Sequence, residues 1–101
     1  MYKSIMIDEF EQVEKRNQLA IIDVREEDEY LSGHIKGAKN LPLSTLQETA
    51  ESLDKTQPYY IICQAGGRSQ MASEYVASLG YDATNVMGGM SAWRGDVVDG
   101  L

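Results

Sequence analysis

Apolar positions recur along the chain in two rhythms. Short apolar runs at residues 4–7, 19–24, 59–63, a brief one at 38–41 and a weaker one at 84–87 predict five strands. Ala20-Ile21-Ile22 and Tyr60-Ile61-Ile62 show no polar alternation, so the sheet they build must be covered on both faces. Between the runs the period lengthens. Leu43, Leu46, Ala50 and Leu53 lie three or four apart with polar residues opposite, and Ser44 with Gln47 fits a capping box at the start of that helix. Residues 68–79 predict a longer helix, with Met71, Ala72, Tyr75, Val76 and Leu79 on or near one face and Gly80 placed for a left-handed C-terminal cap. Residues 8–16 and 26–31 predict shorter helices, and residues 90–94 a closing helical turn.

Strands that alternate with helices indicate an α/β fold with a mainly parallel sheet. The 101 residues suffice for one core, so a single domain over 1–101 is expected. With 43% hydrophobic and 25% charged residues the chain has the composition of a folded globular protein. A net charge of −7 argues against a nucleic-acid partner, which needs a basic face. The first residues meet acidic side chains at once and hold no apolar stretch long enough for a signal peptide or membrane span, so no membrane association and a cytoplasmic location are expected.

Cys63 is the chain's one cysteine, which excludes an internal disulfide and favours a reducing compartment. A lone cysteine is by itself most often a small core hydrophobe. Its position changes that reading. Cys63 ends the run Tyr59-Tyr60-Ile61-Ile62, opens the loop Gln64-Ala65-Gly66-Gly67-Arg68-Ser69 and precedes a helix. Ligands of open parallel sheets bind beyond the carboxyl ends of strands, where this places the thiol. A loop curling around the sulfur would aim backbone N–H groups at it, Gly66 and Gly67 permit the backbone angles this needs, and the following helix adds its positive end. Such surroundings favour the thiolate, the nucleophilic form.

The spacing Cys-x4-Arg bears on which anion the loop holds. Cysteine-dependent phosphatases resemble it with one residue more, in a ring that encloses a phosphoryl group. The shorter ring here suits the outer sulfur of a persulfide, Cys63-S-S⁻. Asp23-Val24-Arg25 with Glu29-Tyr30, Gly33-His34-Ile35-Lys36-Gly37-Ala38 with Asn40 and Pro42, the Cys63 loop, and Gly88-Gly89-Met90 with Ala92-Trp93 together resemble the single-domain rhodanese (sulfurtransferase) family over residues 19–93.

That resemblance implies a five-stranded, mainly parallel sheet with helices on both faces, and a sulfurtransferase. Its cysteine takes the sulfane sulfur of a donor such as thiosulfate, persulfide or polysulfide, holds it as a persulfide, and passes it to a thiol or cyanide. Cys63 is then the nucleophile. The loop residues Gln64, Ala65, Gly66, Gly67, Arg68 and Ser69 bind substrate: amides from Ala65 to Ser69 stabilise the terminal sulfur anion, and Arg68 and Ser69 meet the donor's charged end or close the loop. The partners implied are a small sulfur donor and a thiol acceptor, a protein acceptor included.

His34, the only histidine, is read as architectural, since a thiolate held by amides needs no base. Asp23 is read as bonding neighbouring backbone N–H groups or Arg25, and Trp93 as a core anchor. One Cys and one His provide no zinc set, and no P-loop or dinucleotide motif appears, so neither metal nor cofactor is implied. Two other readings stand beside sulfur transfer: a cysteine-dependent phosphatase or arsenate reductase, and a non-enzymatic sulfur-carrying or binding module. Arg68 is the loop's only charged residue, which favours a persulfide or polysulfide donor over the thiosulfate dianion.

Overall fold

The computed structural model describes residues 1–100. In chain order it contains β1 (Lys3–Met6), α1 (Ile7–Arg16), β2 (Ala20–Asp23), α2 (Glu27–Ser32), β3 (Lys39–Asn40), α3 (Leu46–Thr49) between 3-10 turns at Leu43–Thr45 and Ala50–Ser52, β4 (Pro58–Ile62), α4 (Gly67–Ser78), β5 (Asp82–Met87) and a 3-10 turn at Met90–Ala92. The sheet runs β1-β5-β4-β2-β3. All four pairings are parallel, so the sheet is fully rather than mainly parallel.

Alternate residues of the central strands feed two cores, as a parallel sheet buried on both faces requires. Ile22, Ile61 and Ala83 pack with Leu46, Leu53, Ala72 and Val76 from α3, α4 and the turn after α3. Ile21, Ile62 and Val86 pack on the other side with Ile7 and Phe10 of α1 and Tyr30 of α2. Phe10 is fully buried, with ring centroids 5.6 Å from Tyr60 and 5.9 Å from Trp93. Trp93 is thus half-buried against the second core.

Several boundaries differ from the apolar pattern for identifiable reasons. The first strand stops at Met6, whose partner Met87 precedes Gly88 at φ +98°, where β5 turns away. Ile7 therefore opens α1 and is buried in the second core. β4 begins at Pro58, a first-strand position that needs no N–H, and Cys63 falls just outside it.

The capping box expected at Ser44 and Gln47 does not form. Ser44 Oγ donates instead to Glu26 Oε1 at 2.8 Å, and the segment is broken into short turns. A capping box exists at α2, where Glu26 and Glu29 each accept the other's backbone N–H. The buried stripe of α4 is Ser69, Ala72, Ser73 and Val76, small side chains that let the helix lie close to the sheet. Met71 and Leu79, expected on that face, are exposed. Gly80, at φ +97°, ends the helix with its N–H on Ala77 O.

Residues 88–100 wrap back over the domain. Val98 and His34 exchange backbone hydrogen bonds of 2.8 Å, and Gly100 N–H donates to Leu31 O. Among the described residues no helix is long and apolar enough to cross a membrane.

Replacing Phe10 by Ala should destabilise the domain by about 3–5 kcal/mol, the usual cost of removing a buried aromatic. Urea unfolding followed through the fluorescence of Trp93, which touches Phe10, checks this. A change below about 1 kcal/mol would mean that the second core closes without it.

Candidate active site

Strand β4 delivers Cys63 to the carboxyl edge of the sheet, 1% exposed. The chain then folds back on the sulfur. Gly66, at φ +108°, makes the reversal, and its N–H points at Cys63 Sγ over 3.0 Å. Ser69, in the first turn of α4, puts its hydroxyl 3.3 Å from the same sulfur. That hydroxyl also lies 3.1 Å from Gly66 O and 2.5 Å from Oδ1 of the buried Asn85 on β5.

A second loop secures the first from behind. Met90 N–H donates to Cys63 O at 2.8 Å and Ser91 N–H to Gln64 O at 2.9 Å. Gly89 makes this approach possible, since a Cβ there would stand 2.4 Å from Cys63 O and 2.6 Å from Gln64 O.

The cations near the loop are neutralised. Arg68 donates from Nη1 and Nη2 to the two carboxylate oxygens of Glu29, at 2.7 and 2.9 Å, tying the loop to α2. Arg25 is buried and donates from Nε and Nη2 to Asp23, from Nη2 to Gly33 O, and weakly from Nη1 to Gln64 Oε1 at 3.4 Å. Asp23 accepts Arg25's backbone N–H as well, so its carboxylate is fully engaged within this cluster.

Burial pushes the Cys63 thiol up, and this is more than offset by hydrogen bonding from Ser69 and the backbone N–H groups of Gly66 and Ala65, so the thiol titrates below its ordinary value. Arg68 holds Glu29 at about 2, below the usual 4.5, against a smaller opposing effect of burial. The same pairing raises Arg68.

Of the residues singled out in the sequence, Cys63, Gly66 and Ser69 converge on the sulfur. Gln64, Ala65 and Gly67 form the exposed face of the loop, with Gln64's side chain leaning toward Arg25. Arg68 closes the loop through Glu29. His34 stacks on Tyr30 at 3.7 Å and its Nδ1 lies 2.8 Å from Tyr30 O, contacts internal to the α2 region. Glu29, Asn85 and Gly89 acquire roles that the sequence reading did not assign. The sequence carries no clear signal for Asn85, since β5 also contains Asp82 and Thr84.

Among the described residues no group of three His, Cys, Asp or Glu side chains could hold a metal ion. An open groove of about 710 Å³ runs along the β3 edge past Tyr30, Lys36 and Lys39, and Cys63 takes no part in its lining.

A family model described as Rhodanese-like domain matches residues 6–96. YtwF of Bacillus subtilis, a provisionally named sulfurtransferase, is 38% identical over 86 residues, which span 85% of this chain and 84% of that protein. Thiosulfate sulfurtransferase GlpE of Coxiella burnetii is 33% identical over 95 residues, 93% of this chain and 89% of its own. The crystal structure of a rhodanese-like domain protein from Staphylococcus aureus superposes with a TM-score of 0.89 at 38% identity, covering 98% of this chain and 99% of the other.

Gly89→Ala should cost about 3 kcal/mol or more, through the clash with two carbonyls and the φ of +60°. Thermal unfolding, with the pH dependence of Cys63 alkylation, reads the loss of both fold and loop. The Glu29 pair makes a second prediction. Its folded pKa lies below the unfolded one, so its stabilisation is complete above about pH 4.5 and fades as pH falls through about 2. The stability gap between wild type and Glu29→Gln should therefore shrink over that range in urea titrations, and a gap independent of pH would contradict it.

Proposed function

Because the chain belongs to the rhodanese-like domain family, we propose that it is a sulfurtransferase whose Cys63 carries the transferred sulfur as a persulfide. The observation that carries this is the sulfur of Cys63, buried, aimed at by the Gly66 N–H and held near Ser69, with no general base among its hydrogen-bond partners. A thiolate favoured in that manner acts as a nucleophile without a neighbouring proton acceptor.

The chemistry is two displacements at sulfur. The Cys63 thiolate attacks the outer sulfur of R–S–S⁻; the Cys63–sulfur bond forms, the sulfur–sulfur bond of the donor breaks, and R–S⁻ leaves with the bonding pair. An acceptor thiolate then attacks the outer sulfur of Cys63-S-S⁻, becomes the new persulfide and returns Cys63 as thiolate. Loop amides that stabilise the first anion serve the outer sulfur of the second.

The donor we favour is a persulfide or polysulfide. Arg68, the loop's only cation, has both terminal nitrogens committed to Glu29, leaving no free positive side chain in the loop to grip a dianion. The same commitment counts against phosphate-ester hydrolysis, which needs an arginine turned toward the phosphoryl oxygens. The acceptor is a thiol, on a small molecule or on a protein.

Intact-mass spectrometry after incubation with glutathione persulfide should show one added sulfur, removed by cyanide or a thiol, and none on Cys63→Ser. No adduct together with turnover of a phosphate ester would sink the proposal. An adduct that no small thiol removes would instead assign the chain as a carrier that unloads to a protein. Persulfide should exceed thiosulfate in kcat/KM by about tenfold or more, given the missing free cation; the reverse order would show that Arg68 leaves Glu29 on binding.

A further inference from the structure

The hydroxyl of Ser69 has one proton and three acceptors within reach: Cys63 Sγ at 3.3 Å, Gly66 O at 3.1 Å and Asn85 Oδ1 at 2.5 Å. Where that proton goes depends on the sulfur. A thiol can donate its own proton to Ser69 Oγ, and Ser69 then donates onward to Asn85. A thiolate or persulfide anion has no proton to give and is acceptor only. Ser69 must then turn its O–H toward sulfur.

That turn leaves two oxygens, Ser69 Oγ and Asn85 Oδ1, 2.5 Å apart with no proton between them. The contact is repulsive unless the amide reverses. Rotation of the Asn85 amide by a half-turn replaces Oδ1 with Nδ2, which donates to the freed lone pair of Ser69 and holds its proton on the sulfur; the two orientations have nearly the same shape. Asn85 faces α4 because it lies two residues after Ala83, which is in the α4-side core. It is 4% exposed and Ser69 fully buried, so each relies mainly on protein partners for its hydrogen bonds. Ser73, one turn further along the same buried face of α4, has a hydroxyl without a partner among the described residues, so this layer holds unspent hydrogen-bonding capacity.

We propose that Asn85 is a positioning residue whose amide reverses between the thiol and anion states of Cys63, directing the Ser69 hydroxyl onto sulfur only when sulfur carries charge. The proposal rests on the reading of Cys63 as the working thiolate and deepens it. Asn85 touches no substrate. It acts through Ser69, and it gives a buried amide on the α4-facing side of β5 a purpose. The charged groups around the sulfur, Arg68 with Glu29 and Glu26 from the α4 and α2 side and Arg25 with Asp23 from the end of β2, are untouched by the substitutions that test it.

Since Cys63 is the chain's single thiol, its ultraviolet thiolate absorbance can be titrated without any sulfur donor. This result stands whether or not sulfur transfer occurs, so the two readings fail separately. Asn85→Asp offers Ser69 only an acceptor when ionised, and should lower the thiolate fraction at neutral pH by about tenfold. In a Ser69→Ala background the same substitution should lower it by less than about threefold, the remainder being the field of the new carboxylate. Equal effects in both backgrounds, or no effect in either, overturn the proposal. A merely structural role would lower thermal stability without this difference between backgrounds. If Asn85→Asp does not fold, the wild-type protein decides. The side-chain amide resonances of Asn85 should shift in step with Cys63 titration, while those of Asn40, whose Nδ2 is bound to Asp23 O and Arg25 O, stay fixed. An Asn85 amide that is indifferent to the thiol's charge rules the reversal out.

Discussion

A sulfur anion that is almost out of water persists only where N–H and O–H groups replace the water it has lost. Cys63 is 1% exposed, and burial alone would hold its thiol protonated. The opposing donors are short-range and directional, so their positions, more than the identities of the surrounding side chains, decide whether the thiol ionises. Gly66, Ser69 and the amide of Ala65 supply them from one short loop and the first turn of one helix. The architecture around that loop serves to keep those donors aimed.

The aim comes from the far side of the peptide planes. A trans peptide points its C=O and its N–H in opposite directions, so fixing a carbonyl outward turns the next N–H inward. Cys63 O and Gln64 O are both bound from behind by the backbone of Met90 and Ser91. Pinning Gln64 O directs the Ala65 N–H toward the interior of the loop, where it favours the thiolate. The Gly88-Gly89 segment is therefore part of the site's mechanics although it does not touch sulfur, because only glycine lets one backbone approach the other this closely.

The loop was legible because its determinants are local: an apolar run that ends at Cys63, a glycine, Gly66, where the backbone must reverse, and a helix immediately after. The central strands β2 and β4 followed from apolar runs in the same local manner. What was not legible depends on partners distant in sequence. Glu29 meets Arg68 across 39 residues, and Ser69 meets Asn85 across 16. Neither pairing leaves a periodic trace. The helix expected from Leu43 to Leu53 forms only as one α-helical turn, Leu46–Thr49, between two 3-10 turns: the spacing identified Leu46, Ala50 and Leu53 as buried, but tighter turns satisfy the same burial. On α4 the large residues Met71 and Leu79 were given the inner face by spacing alone, whereas close packing on β5 selects the serines instead.

Charge in this site is spent internally. Arg68 is balanced by Glu29 and Arg25 by Asp23, so two cations that lie beside the loop contribute rigidity instead of a net field. In a chain of net charge −7, that leaves no long-range attraction to gather anionic donors. On the proposed function, selectivity then arises at contact, from whether a sulfur atom fits among the loop donors and can accept their hydrogen bonds. A terminal sulfur is large, polarizable and singly charged, and needs only a few well-placed N–H and O–H groups. A sulfonate or phosphoryl group presents several oxygens and needs more. The loop's short span from Cys63 to Arg68 and its internally neutralised arginine both accord with the single sulfur atom proposed as its cargo.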